Sequence, residues 1–146
     1  MNTFDPTPYA SFDRMSSGQW YLAVSDELGD LAGRAALLYH EYNQLGPTNP
    51  QRSSEILREL LNPASGTCTI KAPAIIEYGI NTTIGEGVFI NFGLTILDIA
   101  PVHIGARSLL GPNCQILTAG HPVDDVEMRS GGGENGAPVH IGEDVW

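Results

Sequence analysis

The fold is decided in residues 72–117, APAIIEYGINTTIGEGVFINFGLTILDIAPVHIGARSLLGPNCQIL. Taking Ala72 as the first position, every sixth residue reads Ala72, Tyr78, Ile84, Ile90 and Ile96, and after a two-residue slip the series resumes as Ile104, Leu110 and Ile116. The residues four further on read Ile76, Thr82, Val88, Leu94 and Ala100, and Ser108 and Cys114 continue that column of small or apolar side chains. Glycine follows the first position at 79, 85, 105 and 111, where a short strand turns a corner and a side chain would obstruct it. A fixed short period marks a solenoid. A β-sandwich would instead alternate over longer strands joined by hairpin turns such as Asn-Gly. Three hexads make one triangular coil of about 18 residues, with the aliphatic residue pointing inward and stacking on its counterparts above and below.

Working outward, the period breaks over residues 117–140, which hold Thr-Ala-Gly-His-Pro, a charged stretch and Gly131 to Gly133, and it returns at Ile141 with Gly142 and Val145. An excursion from a rigid solenoid is a natural seat for function. Toward the N-terminus the composition changes near Gly66. Residues 1–65 hold 9 of the 14 leucines but only 4 of the 17 glycines and 1 of the 12 isoleucines, a helix-favouring balance that the second half reverses. Leu28, Leu31, Ala32, Ala35, Leu38, Tyr39, Tyr42 and Leu45 recur at the spacing of one helix face, with Ser25 as its cap and Gly46-Pro47 as its end. A second helix is expected to begin after Ser53 or Ser54, carry Ile56, Leu57, Leu60 and Leu61 inward, and stop before Pro63. The division is therefore a helical module over 1–65 and a β-helix over 66–146, with the excursion at 117–140.

Seven basic residues against 17 acidic ones leave a net charge of −10 over 146 residues. Nucleic acid and anionic membrane surfaces both require a basic patch that this chain lacks, so neither is expected as a partner. Met1 to Ala10 carries no basic segment with an apolar run behind it, and no apolar run approaches the length of a membrane helix, which points to the cytoplasm. Cys68 and Cys114 show neither C-x-x-C spacing nor a disulfide framework.

The pattern Ile/Leu/Val-Gly-x-x-small-x resembles the hexapeptide repeat of left-handed parallel β-helices; the left hand is supplied by the resemblance, since crossover rules alone favour the right. The segments GQWYLAVSDELGDLAGRAALLYHEY (18–42), EYGINTTIGEGVFINFGLTILD (77–98) and IGARSLLGPNCQILTAGHPVD (104–124) are similar to the maltose and galactoside O-acetyltransferases. These belong to the hexapeptide-repeat acyltransferases, with nodulation acetyltransferases among their relatives. The resemblance runs from about Ser16 to the last residue. It implies transfer of an acetyl group from acetyl-coenzyme A to a sugar or glycoside hydroxyl, without a metal, by a homotrimer whose active sites lie between neighbouring β-helices.

Carried onto this sequence, the resemblance makes His121 the general base. A sugar hydroxyl is a poor nucleophile near neutral pH, and an imidazole titrates where it can take that proton as attack on the thioester begins. Asn91 falls on the family's active-site asparagine, whose amide can donate to the thioester carbonyl or the acceptor as charge develops; an asparagine ladder at a coil corner is the alternative. Glu77 and Asp98 stand where the acceptor sugar is contacted. Ile99 replaces a second acid that often follows Asp98, and Leu22 stands where many relatives place an acceptor-binding Asp, so the identity of the sugar stays open. Glu134 either orients the imidazole or binds the acceptor. Trp20 and Tyr21 either stack on the sugar or pack onto the β-helix, Tyr21 being taken as a substrate contact. Arg129 is expected to pair with nearby acids. Cys114 reads as core, which makes the transfer direct, with no acyl-enzyme.

Relatives continue the solenoid beyond Trp146 with coils that bind much of the coenzyme, so the chain is expected to be a truncated form. Two rival readings follow. One is a β-helix trimer without catalysis. The other is a zinc enzyme of the γ-type carbonic anhydrase kind, suggested by His103, His121 and His140 at intervals near one coil.

Overall fold

The computed structural model of the chain describes residues 11–146, so the reading of Met1 to Ala10 lies outside the described residues. The described residues open with a short helix α1 (Phe12–Ser16), a two-residue strand β1 (Tyr21–Leu22) and the long helix α2 (Asp26–Leu45). Ser25 caps α2, its hydroxyl accepting from the Leu28 N–H at 3.2 Å, and Leu28, Ala35 and Tyr42 bury one side of it at seven-residue intervals. A 3-10 turn over Gly46–Thr48 leads to α3 (Pro50–Leu60). That helix starts earlier than the serines suggest. Asn49 is the cap, accepting from the Arg52 N–H at 3.1 Å, and Pro50 sits at the first helical position, where its missing N–H has no partner to lose. Ile56, Leu57, Leu60 and Leu61 point inward as expected.

Nine short strands then wind into a left-handed parallel β-helix of three sheets. The first sheet holds β2 (Thr69–Ile70), β5 (Phe89–Ile90) and β8 (Leu109–Leu110). The second holds β3 (Ala74–Ile76), β6 (Leu94–Leu97) and β9 (Gln115–Leu117). The third holds β4 (Thr82–Ile84), β7 (Val102–Ile104) and β12 (Val139–Ile141). Between β9 and β12 the excursion forms β10 (Ala119–Gly120), α4 (Val126–Ser130) and β11 (Gly133–Gly136).

Register corrects the hexad count. Ile70 pairs with Ile90, Ile76 with Ile96 and Ile84 with Ile104, so each coil advances 20 residues and not 18. The inward stacks are therefore Ile70–Ile90–Leu110, Ile76–Ile96–Ile116 and Ile84–Ile104–Ile141. Ala72 and Tyr78, expected in the aliphatic column, are not in these stacks. The slip seen at 96 to 104 also occurs one coil earlier, between Ile76 and Ile84, because the step between inward residues is longest from the second sheet to the third in every coil. The connection there comprises residues 77–81, then 98–101, then the whole excursion at 118–138. Ile76, Ile84, Ile90, Ile96 and Ile104 are each at most 1% exposed, and burial of such a side chain contributes about 1.5–3 kcal/mol. One apolar cluster runs from Ala35, Tyr42, Ile56 and Leu60 of the helices into these stacks, so α2 and α3 close the first coil. No described helix is long and apolar enough to cross a membrane.

Candidate active site

The corner between the second and third sheets is widened in all three coils, and the residues singled out for chemistry gather there, Asn91 excepted. Its wall is a ladder of buried polar groups that runs from coil to coil. Asp98 accepts from the Tyr78 N–H and from the Thr82 hydroxyl, both at 2.8 Å. The Asn81 amide donates to the carbonyls of Asp98 at 2.9 Å and Ile99 at 3.2 Å. Thr118 donates to the Leu97 carbonyl at 2.7 Å and accepts from the Ala100 N–H at 3.0 Å. Each lengthened connection leaves backbone groups without sheet partners, and these side chains satisfy them.

The excursion is anchored on this wall. β11 pairs antiparallel with β10 on one side and with β1 of the N-terminal segment on the other, giving a three-stranded sheet β1–β11–β10. Gly18 and Gly136 permit a close approach here: a Cβ on Gly18 would lie 2.8 Å from the Gly136 carbonyl oxygen. Ser16 and Asn81 hydrogen-bond each other, tying α1 to the first coil. Beneath the sheet lies a second apolar cluster of Met15, Tyr21, Leu28, Tyr78 and Ile99.

His121 follows β10 directly and is 60% exposed at the mouth of this corner. Glu134 on β11 stands behind it, 14% exposed, with one carboxylate oxygen 3.7 Å from His121 Nε2 and the other accepting from the Tyr21 hydroxyl at 2.7 Å. Tyr21 is 2% exposed, its ring held in the second cluster, so only the hydroxyl reaches the site. The expected sugar-stacking face is therefore closed, because β1 lies under the excursion. Burial, followed by the hydrogen bond to Glu134 and its charge, drives the Tyr21 pKa far above the phenol range, so this hydroxyl stays protonated.

Glu77, half-buried at the first coil, is pushed up to about 7 by burial and then by the charges of Glu134 and Asp98. Asp98 departs from its expected role. It is 0% exposed with hydrogen bonds on both oxygens, so it supports the wall and does not face the acceptor. Burial raises its pKa, partly opposed by the hydrogen bonds it accepts. Arg129 also departs from expectation: it donates to the carbonyls of Pro122 at 2.6 Å and Val123 at 3.0 Å, bracing the turn after His121 from α4.

Asn91 is the one candidate placed elsewhere. It follows β5, at the corner between the first and second sheets, whereas His121 stands at the opposite edge of the second sheet. Its amide oxygen accepts from the Phe92 N–H at 2.9 Å, which leaves the amide N–H groups available as donors. His103 and His140 pair side by side on the outer face of the third sheet, ring centroids 6.0 Å apart, and among the described residues no three His, Cys, Asp or Glu side chains are grouped to hold a metal ion. Cys114 packs against the main core as expected, and burial pushes the Cys68 thiol up to about 11. Thr118 and Asn81 carry no signal in the hexad pattern, and Tyr78 carries a misleading one, because they lie in or beside the residues by which the period slips.

A coiled parallel β-helix with a histidine-bearing excursion at one corner defines a hexapeptide-repeat acyltransferase. The family model described as "Maltose acetyltransferase hexapeptide capping motif" matches residues 14–66. A putative acetyltransferase of Saccharomyces cerevisiae is 44% identical, the match covering 88% of this chain and 66% of that protein. Nodulation protein L of Rhizobium meliloti is 38% identical, covering 92% of this chain and 73% of its own length. Among solved structures, a maltose O-acetyltransferase from Clostridium difficile superposes with a TM-score of 0.89 at 31% identity, covering 97% of this chain and 74% of that one. A hexapeptide-repeat acetyltransferase from Vibrio cholerae complexed with acetyl coenzyme A superposes with a TM-score of 0.82 at 30% identity, covering 93% and 73%. The chain belongs to the maltose and galactoside O-acetyltransferase family. It spans about two-thirds to three-quarters of the length of these relatives.

Proposed function

We propose that the chain moves an acetyl group from acetyl-coenzyme A directly to a hydroxyl of a sugar or glycoside, with His121 as general base. The observation that carries this reading is the exposed His121 imidazole at the mouth of the widened corner with the Glu134 carboxylate behind it. In the transfer, the imidazole takes the acceptor hydroxyl proton as the oxygen attacks the thioester carbonyl carbon. The carbon–sulfur bond then breaks, and the departing thiolate takes the proton from the imidazolium, leaving the sugar ester and free coenzyme A. Neither cysteine is read as an acyl carrier, since Cys114 packs against the core and burial pushes the Cys68 thiol, just before β2, up to about 11. Glu77 lines the acceptor side, where a carboxyl pushed up to about 7 can both donate to and accept from sugar hydroxyls.

The site is completed in a homotrimer. His121 and Asn91 flank opposite edges of the second sheet, whose outer face shows Ile75 and Leu117, 47% and 50% exposed. Three copies packed around that face set the Asn91 corner of one against the His121 corner of the next, and the amide donors then meet the oxyanion of the tetrahedral intermediate. The test is acetyl-coenzyme A-dependent thiol release with maltose, glucose and a galactoside, comparing the chain with His121→Ala. Sugar-dependent release that falls about 10²–10⁴-fold in the variant is the expected result. Undiminished release in His121→Ala would remove the base assignment, and a monomer at micromolar concentration with full activity would remove the shared site.

A further inference from the structure

We propose that Tyr21 is a positioning residue for this transfer: its hydroxyl holds one oxygen of the Glu134 carboxylate so that the other faces His121. The inference rests on the assignment of His121 as base and extends it to the N-terminal segment. Three strands set the geometry. Tyr21 and Glu134 are register partners in the β1–β11 pair, and Gly120 and Asn135, the neighbours of His121 and Glu134, are partners in the β10–β11 pair. Base, carboxylate and phenol therefore sit in sequence across one small sheet, with hydroxyl to carboxylate at 2.7 Å and carboxylate to imidazole at 3.7 Å.

A glutamate's terminal torsion is broad and two-fold, so the backbone alone does not aim its oxygens. The phenol does. Its ring is wedged among Met15, Leu28, Tyr78 and Ile99, which fixes the hydroxyl in space without help from solvent. With one oxygen held, the other is left to the His121 ring nitrogen that faces it. A carboxylate at that nitrogen selects the tautomer carrying a proton there, keeps a lone pair on the other nitrogen for the acceptor proton, and stabilises the imidazolium once it forms. Other ionisable groups lie on the wall side of the carboxylate: Glu77, Tyr78 and Asp98, with Glu77 and Tyr78 both feeling the charge of Glu134.

The test is Tyr21→Phe, which keeps the ring and its packing and removes one oxygen. The expected result is a kcat lowered about tenfold, with KM for acetyl-coenzyme A unchanged and a thermal melt like the parent's. The tautomer of the His121 ring is followed in parallel by 15N NMR at one alkaline pH. Glu134→Gln lowers the share protonated at Nε2 because the facing carboxylate is gone, and Tyr21→Phe lowers it by a smaller step. In the Glu134→Gln background, Tyr21→Phe changes neither kcat nor the tautomer ratio further. A Tyr21→Phe kcat within twofold of the parent overturns the proposal, as does an equal fractional loss in the Glu134→Gln background, which would mean that Tyr21 acts through packing alone. The NMR measurement needs no acceptor. Loss of the His121 assignment in the thiol-release assay therefore stays distinguishable from loss of the Tyr21–Glu134–His121 coupling.

Discussion

Glu77 makes the protein less stable as the solution becomes neutral. Its carboxyl is pushed from 4.5 to about 7 by burial first, then by the charges of Glu134 and Asp98. The folded chain therefore holds the proton more tightly than the unfolded chain between these limits. Stability falls as pH rises through that window, is unaffected by Glu77 below 4.5, and levels off above 7. Each tenfold difference in proton affinity is worth about 1.4 kcal/mol, so the whole span sets a ceiling near 3 kcal/mol, which solvent screening of this half-buried side chain cuts to about 1–2 kcal/mol. Glu77→Gln retains the shape of the neutral carboxyl and removes the titration. The assay is urea unfolding of both proteins at one concentration, at pH 4.5 and pH 8. At pH 4.5 the two should agree within about 0.5 kcal/mol, and at pH 8 the glutamine variant should be the more stable by about 1–2 kcal/mol. A variant less stable by the same amount at both pH values would refute the electrostatic reasoning and assign Glu77 a packing role.

Two further outcomes follow from the stacks. Ile96 lies at the middle of the Ile76–Ile96–Ile116 column with no exposed surface, so Ile96→Ala should cost about 2–5 kcal/mol in chemical denaturation, while alanine at outward-facing Leu109, nearly half exposed, should cost under about 1 kcal/mol. A Cβ on Gly105 would stand 2.4 Å from the carbonyl carbon and oxygen of Gly142 in the next coil. Gly105→Ala should therefore lower stability by roughly 1–3 kcal/mol, visible as a drop in melting temperature, whereas alanine at Gly111, where the nearest atom is a Trp146 ring carbon at 4.0 Å, should be tolerated.

The architecture was legible because a solenoid repeats one local problem. A strand of two or three residues that must bury one aliphatic side chain and then turn writes Ile-Gly at short intervals, and Ile84, Ile90, Ile96, Ile104, Leu110 and Ile116 all stand where that rule puts them. Helix α2 was equally plain, since its face and its Ser25 cap are both local signals. Sequence alone does not fix the start of α3, because Asn49-Pro50 is as good a cap as the serines that follow. Six-residue counting places Tyr78 and Ala72 in the aliphatic column because a slip of two residues is invisible until the strands pair: the count fits either side of it.

The candidate site divides along the same line. The sequence by itself determined that a histidine sits in an excursion from a rigid coil, that acidic residues surround it and that an N-terminal helical module precedes it, because these follow from residue type and order. Only the tertiary structure decided what each acid does. Asp98 and Glu77 lie one coil apart on the same corner, yet two hydrogen bonds bury Asp98 while Glu77 stays half-open. Tyr21 and Glu134 are 113 residues apart, and their meeting depends on two short strands pairing across the excursion. No periodicity encodes such a contact, because it arises from long-range strand registry and from the apolar cluster beneath, both of which exist only once the chain has folded.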